Sequence, residues 1–217
     1  AEADPAAYLP NLAASLNNLG SQLAEAGDKQ AALAPVREAV ERYRALAEAD
    51  PAAYLHNLAA SLNNLGSQLA EAGDKQAALA SAREAVTIRR ALAEADPAAY
   101  LPNLAASLNN LGSRLAEAGD KQAALASARE AVTIRRALAE ADPAAYLPDL
   151  AMSLWALAWG QTHDGPKSSA LAEALDASEA ACQLYKRLSE AWPDGFGDLL
   201  NAARATRDTV RRLLEGN

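Results

Sequence analysis

Residues 50–95 and 96–141 are the same 46-residue text written twice, differing only at His56 against Pro102 and Gln68 against Arg114. A looser copy fills 4–49, where Pro35, Val36 and Glu41-Arg42-Tyr43 stand in for Ser81, Ala82 and Thr87-Ile88-Arg89. A period of this length means that one supersecondary unit, unable to bury its apolar side alone, stacks on its neighbours to make a continuous core. Near-identity points to recent duplication or deliberate construction.

The copies decay toward the C-terminus. From Asp142 a fourth copy begins, but Asp149-Leu-Ala-Met-Ser-Leu-Trp-Ala-Leu-Ala-Trp replaces the Asn-Asn-Leu-Gly run. It realigns with a four-residue insertion near Gly165–Ala174, so that Ala174-Leu175 matches Ala124-Leu125 and Trp192-Pro193 matches Asp142-Pro143. The expected organisation is therefore a tail of a preceding unit (1–3), repeats at 4–49, 50–95 and 96–141, a degenerate repeat at 142–193, and a C-terminal capping helix at 194–217. Ala1–Asp4 matches Ala47–Asp50 and no methionine opens the chain, which reads as a fragment of a longer array.

Within a unit the punctuation sets two helices. Asp50 offers a capping carboxylate and Pro51 a first-turn residue whose missing N–H costs nothing. Leu55, Leu58, Leu62, Leu65 and Leu69 then form one apolar stripe at steps of three and four. Gly73 can take the left-handed conformation that ends a helix, and Asp74 caps the next, which runs from Lys75 to about Ala95. Its inward candidates are Leu79, Ala82, Val86 and Leu92. Interior prolines lose a helical hydrogen bond. For Pro10, Pro102 and Pro148 either a short turn, such as Pro97–Tyr100, precedes a helix beginning near Leu101 or the helix is continuous and kinked, the former being preferred; Pro35 predicts a local kink.

The chain carries a net charge of −8 and is rich in Ala and Leu, a composition that favours helices. Acidic balance disfavours nucleic acid and anionic membranes, since phosphate binding needs clustered Lys and Arg. Here Arg83-Glu84 and Arg89-Arg90 before Glu94 are interleaved with acids and read as solvated helix faces. No run approaches the roughly 20 apolar residues of a membrane span, and no signal peptide is visible. A cytoplasmic location is expected. The lone Cys182 occupies the place of Val132 and reads as a small buried residue.

Leu65-Gly66, Leu69, Gly73-Asp74, Ala78-Leu79 and Glu84-Ala85 resemble the tetratricopeptide repeat pattern, in all three full copies. Leucines stand where that family usually has an early Trp and an aromatic (Leu62, Leu69), and the unit exceeds the family's 34 residues. Ser-Leu-Asn-Asn-Leu-Gly followed by Glu-Ala-Val-Thr-Ile-Arg-Arg looks like the longer kinesin-light-chain type, and like units of actinobacterial signalling proteins whose arrays adjoin NTPase or caspase-like domains. The resemblance implies an all-α fold: a right-handed superhelical solenoid of antiparallel helix pairs, about nine helices in all, with first helices lining the concave side.

On that geometry Asn17, Asn18, Ser21, Asn63, Asn64, Ser67, Gln68, Asn109, Asn110, Ser113 and Arg114 lie on or near the concave face. An asparagine amide both donates and accepts, so such a row can pair with an extended peptide's backbone. The resemblance assigns that contact to the Asn before Leu-Gly, here Asn18, Asn64 and Asn110. The same residues could equally hydrogen-bond between repeats. Trp155 and Trp159, four residues apart, either end the groove as a ligand grip or cover the array's end against Trp192, Phe196 or Leu200, the latter being preferred.

No catalytic arrangement, phosphate loop or metal-ligand spacing is recognisable, and no cofactor or metal is expected. His163-Asp164 is the only close His–carboxylate pair and has no associated nucleophile. His56 sits where other copies have proline. The reading is a non-catalytic scaffold that binds a protein or peptide partner. Alternatives are a regulatory arm of a multidomain signalling protein, or a homo-oligomer formed through an exposed N-terminal repeat face.

Overall fold

An aspartate opens nearly every helix for which the sequence supplies one. In a computed structural model, which describes residues 5–162 and 168–216, the Asp50, Asp96 and Asp142 carboxylates accept the amides of Ala53, Ala99 and Ala145, and Asp28 and Asp74 do the same for Ala31 and Ala77. Each such bond satisfies an orphan first-turn donor. These five bonds open α2 (Lys29–Ala49), α3 (Pro51–Glu71), α4 (Lys75–Ala95), α5 (Pro97–Glu117) and α7 (Pro143–Gly160); the other helices among the described residues are α1 (Pro5–Glu25), α6 (Lys121–Ala141), α8 (Ser168–Ala191) and α9 (Pro193–Glu215), the last preceded by Trp192 with no side-chain cap. Among the described residues there is no strand. Gly73, at φ 88°, ends α3 in the left-handed region where a side chain would be strained.

The expected turn before Leu101 is not there. The amide of Tyr100 already donates to the carbonyl of Asp96 at 3.2 Å, and α5 continues through Pro102. Pro102 forgoes a bond to the carbonyl of Ala98, but Ala98 lies on the exposed first turn, where water can serve that oxygen. α1 and α7 likewise run through Pro10 and Pro148, and α2 runs unbroken through a buried Pro35.

The chain divides into two compact units, Ala1–Asp120 and Lys121–Asn217. In the first, each of α1 to α4 packs on the helix that follows it, and the first helices of successive pairs also touch, α1 on α3 and α3 on α5. Its core joins the leucine stripe of α3 (Leu58, Leu62, Leu65 and Leu69) to Val36, Val40 and Tyr43 of α2. The second helix turns a different edge inward than its leucines suggest: Ala78, Ala82, Ala85 and Val86 are buried, whereas Leu79 and Leu92 are only half covered. Small residues let the helices approach closely. At Gly20 a Cβ would stand 2.1 Å from Cγ2 of Val36 and 3.0 Å from the carbonyl of Ala32, so α1 and α2 meet where only glycine fits. Tyr8, Leu12 and Leu19 lie exposed on α1.

In the second unit α6 packs on α7, α7 on α8, and α9 closes against both α8 and α7. Its core runs from Val132 through Leu150, Leu154 and Leu157 to Tyr185 and Leu200. Cys182 is buried in this core, as its match to Val132 suggests, and burial pushes its thiol pKa up. Ala1–Asp4 and the His163-Asp164 pair lie outside the described residues.

Candidate functional site

The paired asparagines inside the first helices divide their labour. In the first unit Nδ2 of Asn17 donates to Oγ of Ser61 at 2.5 Å, and Nδ2 of Asn63 donates to Oγ of Ser107 at 2.7 Å. Ser61 and Ser107 are fully buried, so these bonds link α1 to α3 and α3 to α5 inside the stack. The Oδ1 atoms of Asn17 and Asn63 are also buried and have no partner among the described residues. Asn109 is engaged as well. The asparagines one residue later behave differently. Asn18, Asn64 and Asn110 are exposed, and no side-chain hydrogen bond ties any of them among the described residues. One residue is a 100° turn about the helix, enough to move an amide from the seam to the surface.

The other residues of the expected face fall on both sides of this line. Ser67 and Ser113 are exposed, Ser113 donating to the carbonyl of Asn109 at 3.3 Å, and Ser21 is half-buried. Ser21, Ala24, Asn64, Ser67, Gln68 and Glu71 line a shallow cleft of about 170 Å³ between α1 and α3. Gln68 forms its floor, with only 6% of its surface exposed and Oε1 unpaired. Arg114 is half-buried and pairs with Glu117 at 3.1 Å.

The two tryptophans of α7 separate too. Nε1 of Trp155 donates to Oγ1 of Thr206 on α9 at 2.9 Å, and the ring packs on the core of the second unit. Trp155 thus sits against α9, on the core that includes Leu200. Trp159, at 55% exposure, stays on the surface. The aromatic side of α9 is filled by Phe196, whose ring centroid stands 6.3 Å from that of Tyr185 and 6.4 Å from that of Trp192.

One position on the second helices escapes a reading based on charge. Tyr43, Arg89, Arg135 and Tyr185 occupy the same register in successive copies, and all four are buried. The solvated face expected for Arg89 is therefore wrong for this residue. The tyrosines at the matching positions were the signal, because an aromatic there argues for an inward direction. Tyr43 donates to the carbonyl of Pro10 at 3.3 Å. Tyr185 has no hydroxyl partner, and burial, with the nearby charge of Asp149, pushes its pKa up to about 12. In the second unit Nη1 of Arg135 stands 2.9 Å from Oδ2 of Asp149, an ion pair rather than an aligned hydrogen bond. In the first unit, among the described residues, no carboxylate pairs with Arg89 and its Nε lacks a hydrogen bond, and burial lowers its pKa.

Among the described residues no group of three or more His, Cys, Asp or Glu could hold a metal ion, and no helix is long and apolar enough to cross a membrane. Capped helix pairs at a fixed period, with side-chain links between equivalent helices, define a helical repeat scaffold. The chain belongs to the tetratricopeptide repeat family, whose profile matches residues 12–53, 58–98 and 104–145, more than half of its length. Its fold is similar to that of a Podosopora anserina protein described as a kinesin light chain with nearly identical TPR-like repeats: 17% identity, 94% of this chain and 95% of that one covered, TM-score 0.60. A single-substitution form of that protein gives 18% identity, coverage of 94% and 98%, and a TM-score of 0.58. No curated protein matches the sequence. Repeats of this family generally mediate protein–protein interaction and are typically non-catalytic.

Proposed function

We propose that the chain is a non-catalytic interaction scaffold that holds an extended peptide across the first-helix face of α1, α3 and α5. The observation that carries this is the division between adjacent asparagines. The stack uses Asn17 and Asn63 for its own cohesion. Asn18, Asn64 and Asn110 repeat at the same period, stay exposed, and their side chains form no hydrogen bond among the described residues. A residue kept for the interface would be spent in the interface; these three are not. Each presents a donor and an acceptor to solvent, the pair of functions that a peptide bond needs. Ser67 and Ser113, one turn on, add hydroxyls to the same face.

The test is selection of peptides from a displayed random library on the full chain, followed by affinity measurements with the Asn64→Ala/Asn110→Ala double variant. Two lost backbone-directed hydrogen bonds at about 1 kcal/mol each predict a fall in affinity of roughly tenfold or more for every selected peptide, whatever its sequence. Helicity and melting should stay at the parent values. Unchanged affinity on an intact fold would return these asparagines to a structural role.

A further inference from the structure

The two central repeats contain the same buried arginine, but among the described residues only Arg135 meets a carboxylate partner. Arg135 is 3% exposed, and Asp149, seven residues into α7, reaches it from the surface with a side chain that is 46% exposed. Arg89 is equally deep at 5%, and the residue seven into α5 is Asn103, exposed and without a hydrogen bond to Arg89. A guanidinium does not escape burial by losing its proton. A buried charge without a partner is costly, and an arriving anion that pairs with it recovers part of that cost.

We propose that Arg89 receives a carboxylate from an Asp or Glu side chain of the bound peptide, at the place over Asn103 that Asp149 fills in the next repeat. The assignment rests on the peptide-binding reading of the same face and names one chemical requirement for the partner. Arg135 and Asp149 supply the template: a carboxylate approaching from solvent can reach a guanidinium at this depth and register. The slot is also in line with the asparagine row. Asn103 and Asn110 are seven residues apart on α5, which puts them on one face about 10 Å apart, the span of about three residues of extended peptide. The chain's net charge of −8 does not bar an acidic side chain, because charges beyond about 8 Å are screened at physiological salt while a contact pair is not.

The experiment uses the full chain, the displayed random library, and an Asn103→Asp variant that supplies the carboxylate from within. Peptides selected on the parent should share one acidic position, and changing it to its amide should weaken binding about tenfold or more. The Asn103→Asp protein should melt higher than the parent and bind acidic and amide peptides within about twofold of each other. Selected peptides with no common acid, or a variant that still discriminates acid from amide tenfold, would overturn the proposal while leaving the asparagine row in place. A library that yields no binder at all would remove both.

Discussion

The first helices of the two units solve the same problem with different chemistry. In the first unit α1, α3 and α5 face copies of themselves, and the link is small and polar: an asparagine amide on a buried serine hydroxyl. In the second, α7 faces the final helix α9, and the corresponding link is large and aromatic, the Trp155 indole on Thr206 with its ring against an apolar core. A polar link demands a matched partner at each period and so enforces register. An aromatic link buries more area and tolerates an irregular neighbour, which suits the helix on which α9 closes.

Removing the aromatic link should do the most damage. Trp155→Ala takes out a large half-buried ring and the indole donor to Thr206, whose hydroxyl keeps only its bond to the carbonyl of Ala202; a loss of about 3 kcal/mol is expected in urea unfolding followed by circular dichroism. A loss below about 1 kcal/mol would mean that the ring is not what holds α7 to α9. The polar link should cost less. Asn63→Ala leaves the fully buried Ser107 hydroxyl without its donor and should destabilise by about 1–2 kcal/mol, whereas Asn64→Ala, next to it but exposed, should stay within about 0.5 kcal/mol. Equal effects would erase the distinction between seam and surface asparagines.

The smallest effect at neutral pH concerns Tyr185, whose buried hydroxyl has no partner. Tyr185→Phe should be neutral or slightly stabilising at pH 8. A free phenol ionises near pH 10, but in the fold Tyr185 holds its proton until about 12. Above pH 10 the unfolded chain therefore binds fewer protons than the native one, and stability falls as pH rises through that window. The Phe variant lacks this contribution, so its advantage should grow between pH 8 and pH 11; parallel curves for the two proteins would contradict the burial argument.

Caps and stripes were legible in the chain because they depend on local chemistry. Asp-Pro, Gly-Asp and the leucine spacing each dictate backbone or face within a turn, and Asp50, Gly73 and the stripe through Leu69 stand where the pattern puts them. What the pattern leaves open is direction to within one residue. Asn63 and Asn64 share a type and a neighbourhood, and only the packed neighbour decides which amide meets Ser107. Arg89 departs from the expected solvated face because register outweighs charge at this position, and a long apolar stem lets arginine reach inward. At Pro102 the helix runs on without the expected turn because the cost of the missing bond depends on its place: an exposed first-turn residue four positions earlier keeps it small.

The Asn–Ser link has an arithmetic of its own. Ser61 receives from Asn17, and two residues later Asn63 gives to Ser107, so α3 carries both a socket for the helix before it and a plug for the helix after it. Lifting out one whole period would leave Asn17 opposite a serine again, and inserting one would add a plug for every socket. Change by any other length breaks a pair. The chain can thus grow or shrink only in whole words, and 50–95 beside 96–141 reads as one such word spoken twice.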